Sequence, residues 1–460
     1  MSDTPFSVRG KRVVVVGAAR SGIAAAELLV RRGATVTLTD LRDQIEDEER
    51  LRDAGVVLEL GGHHEATLAS ADLVVLSPGV PSQLPAIEAA RRAGVPVTGE
   101  LELASRWLRG RIVAITGTKG KSTTTTLTGR MLEAGGYRVL VGGNIGLALS
   151  AQVEASTNET IHVIEASSFQ LESAQTFRPW IAVLLNFSPD HLDRHATVDE
   201  YAAAKARIFA RQQPTDWAVL NADDPGTLEL AAATRAHRLL FSMTGVAREG
   251  IVISEDAIVR RTSGGEEALV PLASVKLLGR HLLADVLAAS AVASIVGVDA
   301  AAMTKAVEGF TGLEHALEPV AEVGGVRFVN DSKATNIEAS CRAIETFGDG
   351  VVVVLGGRFK GGDFRDLLPA LVERNATVVA IGESRPLIRE ALGSAVALHE
   401  AEDMSSAVRR AFAAASPGHT VVLAPACSSF DMFRDYAERG RVFKQEVRKL
   451  QEEWSTTREQ

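Results

Sequence analysis

The chain has 460 residues, 46% of them hydrophobic and 23% charged, with a net charge of −9. That length exceeds a single hydrophobic core and points to about three domains of roughly 150 residues. The acidic balance excludes a general nucleic-acid footprint, so any phosphate site has to be positive only locally. Cys341 and Cys427 stand far apart and form neither a disulfide framework nor a zinc pattern, which fits a reducing compartment. The stretch MSDTPFSVRGKRVVVVG lacks a signal-peptide core, and the apolar run Val286 to Val298 is too short to cross a bilayer. The expected location is cytoplasmic, without membrane or nucleic-acid partners.

Strands alternate with helical patterns along the chain, which predicts parallel α/β layers. The first segment, KRVVVVGAARSGIAAAELLVRRGATVTLTD, reads as strand, Gly-containing turn, helix and a second strand ending at Asp40. Gly17 and Gly22 flank Ala18, Ala19, Arg20 and Ser21, so the middle glycine of a dinucleotide fingerprint is absent. The loop is therefore either a nucleotide site or a turn whose glycines serve packing alone. ADLVVLSPGVP adds a strand, and LASRWLRGR marks the crossing into a second domain.

That domain opens with the strand RIVAIT and the loop GTKGKSTT. The spacing from Gly117 to Ser122 is shorter than the common phosphate loop and carries a second lysine, Lys119. Two strands follow, IHVIEAS ending near Glu165 and WIAVLLNF ending before SPDHLDRH. Ligands of open α/β sheets gather outside the carboxyl ends of strands, where Lys121, Glu165 and His191 are all expected. Backbone N–H groups from Gly117 to Thr123 can cradle phosphate oxygens, Lys121 can neutralise them, and Ser122 and Glu165 offer hard oxygen ligands to Mg²⁺. His191 and His195 have the spacing of a zinc helix, but no glutamate lies between them, and Asp190 and Asp193 favour an oxygen-rich site.

In DEYAAAKARIFARQ, helical spacing stacks Tyr201, Lys205, Ile208 and Phe209 on one face. Lys205 is then either a snorkelling lysine whose head reaches water, or an amine whose ammonium form is disfavoured and which acts in a neutral or modified form. The third segment begins near FTGLEHALEPV and repeats a strand followed by a polar loop in VRFVNDSKATN, VVVVLGGRFKGGDF, VVAIGES and HTVVLAPACSSFDMFRDY. Lys333, Thr335, Lys360, Ser428 and Ser429 form a set of cations and hydroxyls suited to a small carboxylate or a ribose. Some of them are equally suited to helix caps and surface loops.

The motifs GTKGKSTT, GGNIG, EASSFQLE, NFSPDHLDRH, YAAAKARIF, NDSKATN, LGGRFKGGDF and APACSSFDMF occur in this order, and the chain resembles the Mur ligases over essentially its whole length. SSFQLE, NDSKATN and PACSSFD resemble the glutamate-adding branch. The resemblance implies three α/β domains: a Rossmann-like UDP-binding domain over 1–108, a central P-loop-type ATPase domain with a mostly parallel sheet over 109–311, and a Rossmann-like glutamate-binding domain over 312–460. It implies a monomeric, ATP-dependent ligase adding D-glutamate to UDP-N-acetylmuramoyl-L-alanine through an acyl phosphate in peptidoglycan precursor synthesis. By matching motif positions, Arg20, Ser21, Leu41, Arg42, Ser77 and Gly79 would lie along the uridine and diphosphate, and Asn144 would approach the muramoyl portion. Gly117, Thr118, Lys119, Gly120, Lys121, Ser122 and Thr123 would hold the triphosphate, and Asp331 its ribose. Glu165 and His191 would serve two Mg²⁺ ions, with a carbamylated Lys205 on the second. Lys333, Thr335, Lys360, Ser429 and Phe430 would receive glutamate.

The chain departs from the family's pattern at Lys119, where Asn is usual, at Leu282 and Asp285, where a pair of Asn is usual, and at Ala316, where Arg follows His315. The Asn pair and the Arg lie by the nucleotide in the family, and Lys119 is expected to replace part of the missing Arg charge. A sister ligase, an L-glutamate-adding variant and a folylpolyglutamate-type synthetase are the enzymatic alternatives. A nucleotide-binding regulatory module is the non-enzymatic one. Closure of the last domain is expected about Phe310 to Leu313.

Overall fold

Continuous runs such as RVVVV and VVVVLG, apolar on both faces, are the composition of strands covered on both sides by helices. In the computed structural model, which describes residues 6–45, 47–190, 194–276 and 281–458, they form the centres of three mostly parallel sheets. The chain divides into two compact units, residues 1–275 with 282–309, and residues 276–281 with 310–460.

The first unit holds two sheets. One contains β1 (Arg12–Val16), β2 (Thr35–Asp40), β3 (Val56–Leu60), β4 (Leu73–Leu76) and β5 (Val97–Gly99), all parallel, in the order β3-β2-β1-β4-β5. The order reverses between β1 and β4, and the turn after β1 opens there into the helix Arg20–Arg31. Gly22 permits that geometry, because a Cβ at this position would lie 1.8 Å from the carbonyl oxygen of Gly17.

The second sheet comprises β6 (Arg111–Thr116), β7 (Arg138–Gly143), β8 (Thr160–Glu165), β9 (Ile181–Leu184), β10 (Trp217–Asn221), β11 (His237–Ser242), β12 (Gly250–Ser254), β13 (Ala257–Thr262) and β14 (Gly265–Pro271). Its order is β14-β13-β12-β11-β10-β9-β6-β8-β7, antiparallel only among β12, β13 and β14. These antiparallel strands lie beyond those anticipated from sequence, because segments such as AIVRRT are half polar and carry no continuous apolar run.

The second unit is a six-stranded sheet of β15 (Glu318–Val323), β16 (Val326–Asn330), β17 (Val351–Gly356), β18 (Thr377–Ile381), β19 (Ala397–Glu400) and β20 (Thr420–Leu423). The order is β15-β16-β20-β17-β18-β19, with β15 the one antiparallel strand. The expected strands β16, β17, β18 and β20 occupy its centre. Among the described residues no helix is long and apolar enough to cross a membrane.

Candidate active site

β6 lies between β8 and β9, so the carboxyl ends of β8, β6 and β9 open side by side. The loop after β6 runs into the helix Lys121–Ala134 through Gly120, whose φ of 81° is in the left-handed region. Asn186, just past β9, clamps the loop: its Oδ1 accepts the Lys119 N–H at 2.8 Å, and its Nδ2 donates to the Lys119 carbonyl at 3.1 Å. The Thr118 hydroxyl donates to the Ser188 carbonyl at 3.0 Å and lies 3.2 Å from the Tyr201 hydroxyl. The loop is thus held open from outside and leaves its helix N-terminus facing the strand ends, the arrangement that favours phosphate.

Two lysine amino groups converge beneath this loop. Lys121 Nζ donates to the carbonyls of Gly117 at 3.0 Å and Thr118 at 2.9 Å. Lys205 Nζ, 1% exposed, donates to the Gly117 carbonyl at 2.7 Å and lies 4.7 Å from the centre of the Tyr201 ring. Burial, and then the charge of Lys121, push the Lys205 amine down to about 6. The snorkelling alternative is overturned, because this side chain ends inside the protein on a backbone carbonyl. The expected face is otherwise as read, with Tyr201, Ile208 and Phe209 buried beside it.

Glu165 ends β8 and is 2% exposed. Its Oε1 accepts from Asn144 Nδ2 at 2.8 Å, while its buried Oε2 has no hydrogen-bond partner among the described residues. An orphaned carboxylate oxygen beside a neutral amine and a phosphate loop fits a hard cation. No group of three or more His, Cys, Asp and Glu suited to a metal occurs among the described residues. His191 lies outside the described residues, as does Asp193. His195 is a packing residue, buried against Phe169 and Tyr201 with its Nε2 3.1 Å from the Ser168 hydroxyl.

A cleft of about 150 Å³ joins the turn after β1 to the strand ends of the second sheet, lined in part by Arg20, Ser21, Ser77, Gly79, Asn144 and Gln170. Arg42 flanks it differently. Its Nε and Nη2 pair with the Asp40 carboxylate at 2.8 and 3.0 Å, and its Nη2 reaches the Ala18 carbonyl at 3.1 Å. Asp40 also accepts the Ala18 N–H at 2.6 Å, and the Arg42 guanidinium holds its carboxyl well below the usual range. Leu41 is 67% exposed and does not line this cleft.

Within the second unit, Lys360 Nζ donates to the Thr335 hydroxyl at 3.3 Å, bringing two of the expected residues together. Ser428 is spent on structure, exchanging backbone hydrogen bonds with Arg358 and donating its hydroxyl to the Arg358 carbonyl. Ser429 is buried, and Phe430 is 64% exposed. Asp331 accepts the Leu317 N–H at 3.2 Å, and burial pushes its carboxyl up to about 7. Arg439, also buried, ties the loops together through the Ser332 hydroxyl and carbonyl at 2.9 Å each and the Cys427 carbonyl at 3.0 Å.

Three family descriptions match successive parts of the chain: the MurD-like N-terminal domain of Mur ligases over residues 11–99, the Mur ligase middle domain over 115–293, and the Mur ligase glutamate ligase domain over 317–427. A UDP-N-acetylmuramoylalanine--D-glutamate ligase of Acidobacterium capsulatum is 46% identical over 444 residues, covering 95% of this chain and 96% of the relative. The chain belongs to the Mur ligase family. The Koribacter versatilis protein of the same name is 44% identical to this Mur ligase, covering 97% of it and 99% of the relative. The fold likeness extends to a UDP-N-acetylmuramate-alanine ligase of Thermotoga maritima, with TM-score 0.61, 19% identity and 95% and 99% coverage. It extends also to a MurF ligase from Thermotoga maritima in complex with ADP, with TM-score 0.59, 18% identity and 96% of each chain covered.

In this Mur ligase the sequence reading missed Asn186, Asp40, Gln170 and Arg439. Asn186 and Asp40 each sit at a strand end beside a residue that was singled out, and that position was the available signal. Gln170 lines the cleft with an Nε2 that has no partner among the described residues, but its capping box with Ser167 makes it read as a helix start. Arg439 lies in an ordinary amphipathic helix, and nothing local marks it as buried.

Proposed function

We propose that this Mur ligase joins D-glutamate to the alanyl carboxylate of UDP-N-acetylmuramoyl-L-alanine at the expense of ATP, as a monomer in the cytoplasm. The observation that carries the reading is the convergence of Lys121, Glu165 and Lys205 on one phosphate loop, in a chain 43–46% identical to relatives that bear that ligase name.

The chemistry follows from the substrate. A carboxylate is a poor electrophile, so the γ-phosphoryl group is transferred to its oxygen, giving an acyl phosphate and ADP. The amine of glutamate attacks the acyl carbon, the C–O bond to phosphate breaks, and the amine proton is lost as the amide forms. Gly117 to Thr123 hold the triphosphate through backbone N–H groups at the helix N-terminus, and Lys121 leaves the loop carbonyls to meet its terminal oxygens. Arg20, Ser21, Ser77, Gly79 and Asn144 orient the UDP-sugar in their shared cleft, with Leu41 and Arg42 at its uridine end.

Ser122, Glu165 through its free Oε2, His191 and Lys205 would hold Mg²⁺, which when bound offsets the charge of phosphate and carboxylate as they approach. Lys205 enters that set as a carbamate, formed when its neutral amine adds carbon dioxide and loses a proton. In the second unit, Lys333, Thr335, Lys360, Ser429 and Phe430 receive glutamate and Asp331 the ATP ribose. Closure of this unit about Phe310 to Leu313 then brings the amine to the acyl phosphate.

The test is phosphate release with UDP-N-acetylmuramoyl-L-alanine, ATP and either enantiomer of glutamate. Turnover with D-glutamate well above that with L-glutamate is expected; equal or faster turnover with the L isomer overturns the assignment.

A further inference from the structure

Asp285 lies 161 positions along the chain from Thr124, yet the two side chains meet: Thr124 Oγ1 and Asp285 Oδ1 are 3.1 Å apart. Asp285 is 4% exposed and its carboxyl presses on the phosphate loop, since a Cβ on Gly120 would stand 2.1 Å from its Oδ1. Gly120 caps the helix Lys121–Ala134, and Thr124 closes the first turn of that helix through its N–H to the Gly120 carbonyl at 2.9 Å. One carboxyl group therefore touches both ends of the turn whose N–H groups face the phosphate site.

We propose that Asp285 is a positioning residue of the phosphate loop, bracing Gly120 and Thr124 as an uncharged carboxylic acid. The inference rests on the assignment of this loop as the triphosphate cradle.

The charge state is the core of the argument. A carboxylate here would sit behind the helix N-terminus, cancel its positive end and repel the phosphates. A neutral acid fills the same space, keeps a hydroxyl and a carbonyl for hydrogen bonding, and leaves the helix terminus positive toward the ligand. Burial pushes the Asp285 carboxyl well above the usual range, outweighing the Thr124 hydroxyl and the Lys121 ammonium, which face it from the neighbouring helix. In this state the side chain has the size and hydrogen-bonding character of an amide, which accounts for an acid at a position where the family's pattern has Asn.

Infrared difference spectra of the full-length protein at pH 7, wild type against Asp285→Asn, report the charge directly. Loss of a protonated-carboxyl band is expected, and loss of a carboxylate band overturns the proposal. Steady-state kinetics read the role. Removing the brace in Asp285→Ala should raise the KM for ATP about tenfold with kcat within about threefold, and Asp285→Asn should recover most of that loss. An ATP KM unmoved by Asp285→Ala overturns the positioning role. Failure of the wild-type protein to bind ATP would overturn the loop assignment itself and the positioning role with it, while the infrared result still decides the charge of the acid.

Discussion

Lys121 and Lys205 donate to the same acceptor, the carbonyl oxygen of Gly117, at 3.0 and 2.7 Å. Two ammonium groups on one carbonyl repel each other, and the more buried one yields its proton more readily. Lys205 is that group, at 1% exposure, while Lys121 starts its helix half-buried at the loop. The pair thus divides into a half-buried lysine at the loop and a buried amine that gives up its proton readily.

Lys205→Ala is expected to abolish ligation while leaving far-UV circular dichroism unchanged. A short-chain carboxylate in solution should restore part of the activity by occupying the vacated place. Near-normal turnover in the variant would end the carbamate proposal.

Lys119 and Asn186 make a second test of the loop. Asn186→Ala removes both hydrogen bonds that clamp the Lys119 backbone, worth about 1–2 kcal/mol together, and should raise the ATP KM about tenfold. Lys119→Asn keeps the backbone clamp and removes a charge, so a smaller rise in ATP KM is expected, growing at low ionic strength. An unchanged KM in Lys119→Asn would show that this lysine contributes nothing to phosphate binding.

Acid sensitivity should trace in part to His162, buried on β8 between the Ser156 hydroxyl at 2.8 Å and Gln152 Oε1 at 3.0 Å. Burial pushes its imidazole down to about 4, against about 6.5 in an unfolded chain. Between those values the unfolded chain binds the extra proton. Stability therefore falls as pH drops through that window, by on the order of 3 kcal/mol, and no such loss occurs above it. Urea midpoints at pH 7 and pH 4.5 should differ less in His162→Gln than in wild type. Equal differences would place the sensitivity elsewhere.

Arg439→Met should loosen the loops that follow β16 and β20. Losing its three hydrogen bonds leaves the Ser332 and Cys427 carbonyls unsatisfied, while the Ser332 hydroxyl keeps its bond to the Tyr436 carbonyl, at a cost of about 2–4 kcal/mol. Burial lowers the guanidinium to about 10, so the arginine stays charged at neutral pH. The expected result is a lower Tm together with a raised glutamate KM and an ATP KM that moves little. A fall in Tm alone, with both KM values unchanged, would make Arg439 a purely structural brace.

Local chemistry was legible in the sequence wherever neighbours along the chain decide it. Glycines at the spacing of GTKGKSTT allow a tight turn into a helix, a β-branched run such as RIVAIT reads as a covered strand, and the 3.6-residue period put Tyr201, Lys205, Ile208 and Phe209 on one face. What the tertiary structure alone decided is which of these meet. β6 pairs with β8 and β9, not with its successor β7, and that order brings the phosphate loop, Glu165 and Asn186 to one edge. Whether Lys205 reached water or a carbonyl depended on what covered its helix. The burial of Asp285 against Gly120 and Thr124 depended on a helix begun more than a hundred residues after that loop. Strand order and burial of charge are set by the packing of the whole unit, where the cost of desolvating a group is fixed by distant neighbours, so a motif read within its own few residues carries no record of them.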